Sequence, residues 1–396
     1  MKIGLLGHGV VGSGVDKIIA EAQTKALQKM HITKILVKDS SEFAAGDGRF
    51  TTNANEVLED PEIDVICECM GGVEPAFTYA KTALEHGKFV VTSNKKMFAT
   101  CLKELLKTAE KHGAGLAFEA TTGGGIPWIA GLERINRVDR VTSFRGIFNG
   151  TTNYILSRMT SEKKDLEELL YEAKRLGYAE QDPTDDIDGL DVRYKTVISC
   201  VKSFGVCPDI ESVPVFGICN ISKEDIACAA SLGKIVKLIG RGKYENGILS
   251  ASVMPMLLDA TDVLSQVPSN FNMIESDSPA LGRAGFMGQG AGSLPTAHAI
   301  LQDLADYQEK REAGMAKIKM PLITQTKVVW NKADNQREEG VYYIRTKKED
   351  CFREYAKERL ENGAILTKKT ALTKILDCVL AAKDDTLFLA EVSSND

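Results

Sequence analysis

The fold is decided by the stretch Gly7-His8-Gly9-Val10-Val11-Gly12. It follows the short apolar run Ile3–Leu6, a predicted strand, and it opens a segment with the apolar spacing of a helix. Glycines in this pattern allow a tight turn, a close approach of the backbone to a pyrophosphate, and close packing of helix on strand. The helix N-terminus attracts the phosphate charge. We therefore predict that Gly7, Gly9, Val10, Val11 and Gly12 bind a dinucleotide.

The composition limits the classes of function. The chain has 396 residues, 43% hydrophobic and 26% charged, which is typical of a globular protein with two or three domains. A net charge of −6 offers no basic surface for nucleic acid or anionic lipid. No stretch approaches the roughly 20 apolar residues of a membrane span. We expect a cytoplasmic protein with a small-molecule substrate and with neither nucleic acid nor membrane as partner.

The order of the predicted elements divides the chain. Short apolar runs alternate with helical stretches in the first third, which indicates βαβ units and a parallel sheet. The pattern changes near Gly123, and the predicted helix Pro295–Tyr307 returns the chain to the first domain. We predict an α/β protein with a Rossmann-type dinucleotide-binding domain (1–125 and about 293–320) and an α+β catalytic and dimerisation domain (126–292). A short α+β region follows (341–396). Within the second domain, Val253-Met254-Pro255 is predicted to be an edge or terminal strand.

The end of the second predicted strand bears on the choice of cofactor. A carboxylate at this place accepts hydrogen bonds from the ribose hydroxyls of NAD. Here Lys38 occupies the strand tip, followed by Asp39, with Arg49 nearby in the sequence. A cation suits the 2′-phosphate of NADP, so we assign Lys38 to cofactor binding and favour NADP. NAD stays open because Asp39 is a candidate for the ribose acceptor.

A dense group of carboxylates precedes one predicted helix, within the segment Glu180–Lys195. Asp191 and Lys195 are four residues apart and so share one face of that helix. Such a pair is most often an ordinary surface ion pair, and acidic residues favour helix N-termini for electrostatic reasons alone. The pattern by itself leaves structural and functional interpretations open.

Several segments together resemble the homoserine dehydrogenase family, in the family's order and spacing over residues 1 to about 308. Three positions depart from the family pattern without removing a reactive group: Ser93, Thr122 and Gln289. The segments that carry the resemblance are Gly71-Gly72, Thr92-Ser93-Asn94-Lys95, Phe118–Pro127, Gly146–Leu156 with its Asn149-Gly150-Thr151-Thr152-Asn153-Tyr154 run, Glu180–Lys195, Gly288-Gln289-Gly290-Ala291-Gly292 and Pro295-Thr296-Ala297.

The resemblance implies an activity and residue roles. Such an enzyme reduces L-aspartate 4-semialdehyde to L-homoserine with NAD(P)H, in threonine, methionine and isoleucine biosynthesis. Lys195 is then the proton donor to the aldehyde oxygen, and Asp191 orients it. Glu180 holds the substrate amino group, and Asp186 completes the pocket. The remaining two assignments are Lys95, in contact with cofactor and substrate, and Gly292, in cofactor binding.

The resemblance also implies a monovalent cation site, most simply for sodium. Its ligands are the Glu119 carboxylate and the backbone carbonyls of Thr122, Gly124 and Ile126. Oxygen ligands suit a hard cation. The alternative is a glycine turn that holds no ion.

Two other classes of function fit the sequence less well. A dehydrogenase that forms a cysteine thioester needs an activated thiol and a histidine base. The nine cysteines and five histidines occur in no such motif, and we interpret the cysteines as reduced, mostly buried thiols. A cofactor-sensing regulator without catalysis leaves Glu180, Asp191 and Lys195 unexplained.

The tail resembles an incomplete regulatory ACT domain, whose full order is βαββαβ. We predict a strand at Val341–Arg345, a helix at Cys351–Leu360, a strand at Ala364–Leu366, a helix at Ala371–Ala382 and a final strand, with one strand missing. The tail is therefore expected to support packing or assembly, with weak or no inhibition by threonine; retained feedback control is the alternative. The family pattern implies at least a homodimer.

Overall fold

The chain forms two compact units in the computed structural model, which describes residues 1–314, 328–336 and 338–393. The first unit comprises Met1–Arg134 and the chain from Gly288 to the gap. The second comprises Ile135–Met287 and the chain from Val328 onwards. Residues 315–320 of the predicted nucleotide-binding segment and 394–396 of the predicted tail lie outside the described residues.

The strands are numbered in chain order. They are β1 (Lys2–Leu6), β2 (His31–Leu36), β3 (Phe50–Thr51), β4 (Val65–Glu68), β5 (Phe89–Thr92), β6 (Leu116–Ala117), β7 (Ser143–Ile147), β8 (Val206–Pro208), β9 (Lys234–Glu245), β10 (Ile248–Asp259), β11 (Phe271–Ser278), β12 (Gly282–Gln289), β13 (Val329–Asn331), β14 (Glu339–Arg345), β15 (Ala356–Arg359), β16 (Ile365–Thr367), β17 (Thr370–Ala371) and β18 (Phe388–Val392).

The α-helices are numbered in the same way. They are α1 (Val10–Glu21), α2 (Asn55–Leu58), α3 (Ala76–Glu85), α4 (Lys95–His112), α5 (Trp128–Ile135), α6 (Gly150–Glu162), α7 (Leu166–Arg175), α8 (Thr184–Ile187), α9 (Leu190–Phe204), α10 (Lys223–Ser231), α11 (Ser293–Glu312) and α12 (Leu372–Ala382). Within the described ranges, no helix combines the length and apolar character needed to cross a membrane.

The first unit is built on a parallel six-stranded sheet in the order β3-β2-β1-β4-β5-β6. The chain starts in the middle of the sheet, runs out to one edge through β2 and β3, and resumes on the other side of β1 with β4. Open sheets of this kind bind ligands at the carboxyl ends of the strands, where the strand order reverses. The predicted Rossmann-type fold is confirmed.

Apolar strands form the centre of this unit because a parallel sheet is covered on both faces. Ile3, Leu5 and Val65 are fully buried in one core with Ile300 of α11. Helices α1 and α11 approach closely at Gly14, where a Cβ atom would lie 2.6 Å from the Ser293 hydroxyl oxygen. Helix α11 thus packs within the first unit.

The second unit is built on a ten-stranded sheet. Nine strands follow the order β12-β11-β7-β9-β10-β18-β14-β16-β15, and β17 pairs with β14. The antiparallel pair β9–β10 runs from Lys234↔Asp259 to Glu245↔Ile248. Helix α9 packs on β9 so closely that a Cβ at Gly240 would lie 2.4 Å from the Thr196 hydroxyl oxygen. This contact fixes α9, the helix that carries Asp191 and Lys195, on the sheet.

The prediction that Val253-Met254-Pro255 lies at an edge or a strand end is wrong. These residues lie within β10, which runs between β9 and β18. Pro255 is opposite Leu238 of β9, and β18 joins β10 only at Met256 and Leu257. Pro255 therefore precedes the first residue of β10 that pairs with β18. The hydrogen bonds between β10 and β18 need no backbone N–H donor at this position.

The tail is not set apart from the second unit, because β14 and β18 join its main sheet and β18 pairs with β10. The predicted helix Cys351–Leu360 is wrong: a short 3-10 turn, Glu349–Phe352, is followed by strand β15. The strand predicted to be missing is present, since β15 pairs with β16. Residues with high helix propensity adopt a strand here because tertiary pairing overrides local preference.

A buried carboxylate fastens the tail to the rest of the unit. Asp225 of α10 is 1% exposed. It accepts hydrogen bonds from the Tyr343 hydroxyl at 2.7 Å and from Arg345 Nε at 2.9 Å. Because a buried carboxylate left without donors is costly, this contact stabilises the attachment of β14 to α10.

Candidate active site

The glycine turn has the geometry that the sequence predicts. Gly7 has a φ of +90°, which favours glycine, and a Cβ at Gly12 would lie 2.0 Å from the Gly7 carbonyl oxygen. A Cβ at Gly9, the residue that precedes α1, would meet no atom within 4 Å. Gly12 is thus required by packing, whereas Gly9 faces open space at the start of a helix. That space suits a phosphate group.

Lys38 and Asp39 differ in how the structure uses them. The Asp39 carboxylate accepts the Ser41 backbone N–H at 2.8 Å and caps the 3-10 turn Ser40–Glu42. Hydrogen bonds from Ser41 hold the pKa of Asp39 below its usual value. Lys38 is exposed at the tip of the strand. Arg49 is engaged by Asp16 and Asp47 at 2.8 and 2.7 Å.

Other predicted cofactor residues begin helices of the first unit. Val10 and Val11 form the start of α1, and the Val10 side chain is 69% exposed. Lys95 is the first residue of α4, directly after Asn94, which caps that helix. Gly292 precedes α11 with a φ of +125°, a value that favours glycine.

The predicted cation ligands lie in one turn of the first unit, but Glu119 has a structural role that sequence reasoning missed. Its carboxylate accepts the backbone N–H groups of Ile129 at 2.9 Å and Ala130 at 2.7 Å, in the first turn of α5. An anion at a helix N-terminus is stabilised by the helix dipole. Thr122 is fully buried, and Gly124 has a φ of +58°. The Ile126 carbonyl accepts the Trp128 N–H at 2.8 Å.

The second unit brings the predicted catalytic pair together in a buried place. The Lys195 ammonium group donates to Asp191 Oδ2 at 2.7 Å and to the Phe148 carbonyl oxygen at 2.7 Å. Lys195 is 6% exposed and Asp191 is 4% exposed. This is not the solvated surface pair that the spacing alone leaves open. Charged groups are buried in this way only when partners replace the water they lose.

Asn149 connects this pair to Asp186, and sequence reasoning did not assign it a role. Its side-chain amide donates to Asp186 Oδ1 at 2.7 Å and to Asp191 Oδ2 at 2.9 Å. Its carbonyl oxygen accepts the Thr152 backbone N–H at 2.8 Å, so Asn149 also caps α6. Asparagine before a predicted helix was the available signal. The two carboxylates come from α8 and α9, and only the folded chain shows that one amide reaches both.

Glu180 is not joined to this cluster. It is exposed in the turn before α8 and makes no hydrogen bond or ion pair with another residue in the described part of the chain. The preceding turn is tied to α6 by the Thr151 hydroxyl, which donates to the Tyr178 carbonyl oxygen at 2.5 Å. An exposed carboxylate in this position is available to a ligand.

Known proteins match both parts of the chain. A family profile described as the homoserine dehydrogenase NAD-binding domain matches residues 7–119, and one described as homoserine dehydrogenase matches residues 127–305. The homoserine dehydrogenase of Bacillus subtilis is 41% identical over 322 residues, which cover 80% of this chain and 74% of that protein. The chain belongs to the homoserine dehydrogenase family.

Solved structures of homoserine dehydrogenases support the assignment along the whole chain. The crystal structure from Thiobacillus denitrificans has a TM-score of 0.87 at 28% identity, covering 100% of this chain and 98% of that one. A hyperthermophilic archaeal homoserine dehydrogenase in complex with NADPH has a TM-score of 0.66 at 26% identity, covering 78% and 98%. The dinucleotide-binding fold and the oxidoreductase class predicted from sequence are confirmed.

The thiols also separate this homoserine dehydrogenase from a thioester-forming enzyme. All nine cysteines are free. Burial raises the pKa of eight of them, at positions 67, 69, 101, 200, 207, 219, 228 and 378. A nucleophilic cysteine needs the opposite shift.

Proposed function

We propose that this homoserine dehydrogenase reduces L-aspartate 4-semialdehyde to L-homoserine with NADPH, with Lys195 as the proton donor. The observation that supports the role of Lys195 is its buried ion pair with Asp191, whose Oδ2 also accepts a hydrogen bond from Asn149; the same Asn149 amide donates to Asp186. Family membership directs the choice of substrate.

When bound in the first unit, NADPH would supply a hydride for the aldehyde carbon, and the aldehyde oxygen would then need a proton. The Lys195 ammonium group donates it, since general acids act on the group where charge develops. Asp191 and the Phe148 carbonyl fix the position of the ammonium group. Asn149 keeps Asp191 in place by donating to the same oxygen that Lys195 contacts. Lys95, the first residue of α4, would contact the cofactor and the substrate, as the family resemblance implies.

The substrate carries an amino group that is protonated near neutral pH. Glu180, exposed in the turn before α8, accepts this ammonium group, and Asp186 completes the polar pocket. These two carboxylates act in binding and leave the proton transfer to Lys195.

Lys195→Ala should lower kcat for homoserine oxidation by at least about 100-fold, because it removes the group that exchanges the proton. The Kd for NADPH should stay unchanged. Glu180→Ala should instead mainly raise KM for homoserine, because it removes uniform binding of the ammonium group. The kcat and KM values of both variants are measured by following NADPH absorbance at alkaline pH.

Arg193→Ala is the matched control for Lys195→Ala, because Arg193 lies on the same helix and pairs with the exposed Glu211 at 3.1 Å. This variant should keep a near-normal kcat. A Lys195→Ala enzyme with near-normal kcat would refute the assigned proton donor.

The proposed preference for NADPH is based on the two residues at the tip of β2, Lys38 and Asp39. Asp39 is turned to its own backbone as a cap, whereas Lys38 is exposed, and a structural relative is described in complex with NADPH. An exposed ammonium group suits a 2′-phosphate, which NAD lacks.

Lys38→Ala should therefore weaken NADPH binding by about tenfold, the scale of one hydrogen bond to a charged group, and leave NADH binding almost unchanged. Fluorescence titration with both cofactors measures the difference. Lys34→Ala, which removes a lysine from the same strand, is the control and should affect neither cofactor. Equal losses for the two cofactors in Lys38→Ala would show that Lys38 does not contact the 2′-phosphate.

A structural sodium ion is proposed for the turn at Glu119. An anionic carboxylate and the carbonyls of Thr122, Gly124 and Ile126 form an all-oxygen donor set, and each carbonyl oxygen can accept more than one partner. The buried position of Glu119 and Thr122 is consistent with a role in stability.

The Tm of the wild-type protein should be higher in sodium chloride than in choline chloride of equal ionic strength, because a bound ion stabilises the folded state. Glu119→Gln should lower Tm in both salts, since Glu119 also caps α5, and should abolish the difference between them. A wild-type Tm that is identical in the two salts would mean that the turn holds no sodium.

Assembly as at least a homodimer through the second unit is also proposed. The edge strand β12 leaves backbone groups available for pairing; Leu281, just before this strand, and Met287, within it, are 57% and 59% exposed. Sedimentation at micromolar concentration tests this, and a monomer would contradict it.

The tail is proposed to be structural, with weak or no inhibition by threonine. Its helix α12 buries Leu372 and Ile375 in a core with Met254 of β10, so its apolar face is already used. Millimolar threonine should leave more than half of the activity of the full-length enzyme. Sigmoidal inhibition to below that level would establish retained feedback control instead.

A further inference from the structure

Glu68 is a buried carboxylate that none of the roles above uses. It is the last residue of β4, is 0% exposed, and lies opposite Leu6 of β1, the two strands between which the strand order reverses. It therefore stands at the edge of the sheet where a dinucleotide binds.

The two oxygens of Glu68 accept hydrogen bonds from different loops. Oε1 accepts the backbone N–H of Met70 at 2.7 Å, in the loop that follows β4. Oε2 accepts the hydroxyl of Thr92 at 2.5 Å, at the end of β5. One carboxylate thus joins the ends of two neighbouring strands.

The contacts continue from Thr92 to the start of α4. The Thr92 hydroxyl oxygen accepts the backbone N–H of Asn94 at 3.0 Å. The Asn94 side chain donates to the Gly72 carbonyl at 2.7 Å and accepts the Met97 N–H at 3.0 Å. The loop 70–72 and the turn 93–95 are therefore one hydrogen-bonded structure with Glu68 at its base, and Lys95 is the next residue after Asn94.

This structure belongs to the half of the fold that receives nicotinamide. In folds of this kind, the glycine turn after the first strand binds the pyrophosphate, and the tip of the second strand faces the adenosine ribose. Strands β4 and β5 belong to the second mononucleotide-binding half, so the loops that follow them receive the other end of the cofactor.

Glu68 is also placed to respond to pH. Burial raises its pKa to about 7, against the opposing effect of the hydrogen bonds from Thr92, Met70 and Asn94. Its chain neighbours Cys67 and Cys69 carry thiols whose pKa values burial also raises, with Asp303 of α11 acting on Cys67 and Glu68 itself acting on Cys69. Lys95 and Lys96 begin α4. The ionised carboxylate has two acceptor oxygens for the hydrogen-bond donors around it. In the protonated form, one of these oxygens carries a hydrogen and no longer accepts in the same way.

We propose that Glu68 is a positioning residue, whose ionised carboxylate holds the loop 70–72 and the turn 93–95 in the arrangement that binds the nicotinamide half of the cofactor. The inference rests on the proposed use of NADPH. It adds a group that touches neither cofactor nor substrate and acts through Asn94 and Lys95.

Two ligands separate positioning from a general structural role. NADPH contains both halves of the cofactor, whereas 2′-phosphoadenosine 5′-diphosphoribose carries the same 2′-phosphate and pyrophosphate without nicotinamide. Glu68→Gln should raise the Kd for NADPH by about tenfold, since a charged hydrogen-bond acceptor is lost. The Kd of the fragment should stay within about twofold, a small fraction of that energy. Calorimetric titration measures both constants.

The pH dependence supplies a second readout. In the wild-type protein, the ratio of the fragment Kd to the NADPH Kd should rise between pH 6 and pH 8, because Glu68 becomes ionised over this range. Titration of the 2′-phosphate affects both ligands and cancels in the ratio. In Glu68→Gln the ratio should be flat.

Thr92→Val removes the hydroxyl between Glu68 and Asn94 and should reproduce the selective loss of NADPH affinity. This variant tests the inference if Glu68→Gln does not fold. Cys67→Ala is the matched control, a buried change on the same strand outside the network, and should leave both constants unchanged. Equal weakening of the two ligands, or no weakening, would overturn the inference. Failure of the wild-type protein to oxidise homoserine would instead contradict the proposed function. The inference about Glu68 would still be decided by the Kd values of NADPH and the fragment.

Discussion

A carboxylate that leaves water must find donors in the protein, and this constraint organises both units of the chain. Its desolvation costs several kcal/mol unless hydrogen bonds or cations replace the lost water. Five carboxylates of the described residues are at most 5% exposed: Glu68, Glu119, Asp191, Asp225 and Glu275. Each of these carboxylates accepts at least one hydrogen bond from another segment of the chain. The hydrogen bonds that stabilise the buried charge therefore also hold the two segments together.

These contacts differ in the groups that donate the hydrogen bonds. Glu119 is held by two backbone N–H groups of a helix start, which also lets it cap α5. Asp225 is held by a tyrosine hydroxyl and a guanidinium group from the tail. Asp191 is held by an ammonium group and an amide. In the last case the donor is the Lys195 ammonium group, to which the proposed function assigns the proton transfer.

Close backbone approach is the second constraint on the positions of the functional groups. Gly12 allows α1 to begin against the turn at Gly7, and Gly240 allows α9 to lie directly on β9. A single added Cβ atom at either position would overlap its neighbour. The glycine turn in the first unit and the helix of Asp191 and Lys195 in the second therefore depend on a glycine at the point of contact.

The sequence alone determined the features that depend on local geometry. Glycine spacing identified the turn after β1, apolar runs identified β4 and β5, and a four-residue spacing placed Asp191 and Lys195 on one helix face. The tertiary structure decided which of these charges are buried and what they contact. It also decided that Pro255 lies in an interior strand, that residues 356–359 form a strand rather than a helix, and that Asn149 and Glu68 each join two segments. These outcomes depend on contacts between residues far apart in the chain, and local propensity and periodicity contain no information about such partners.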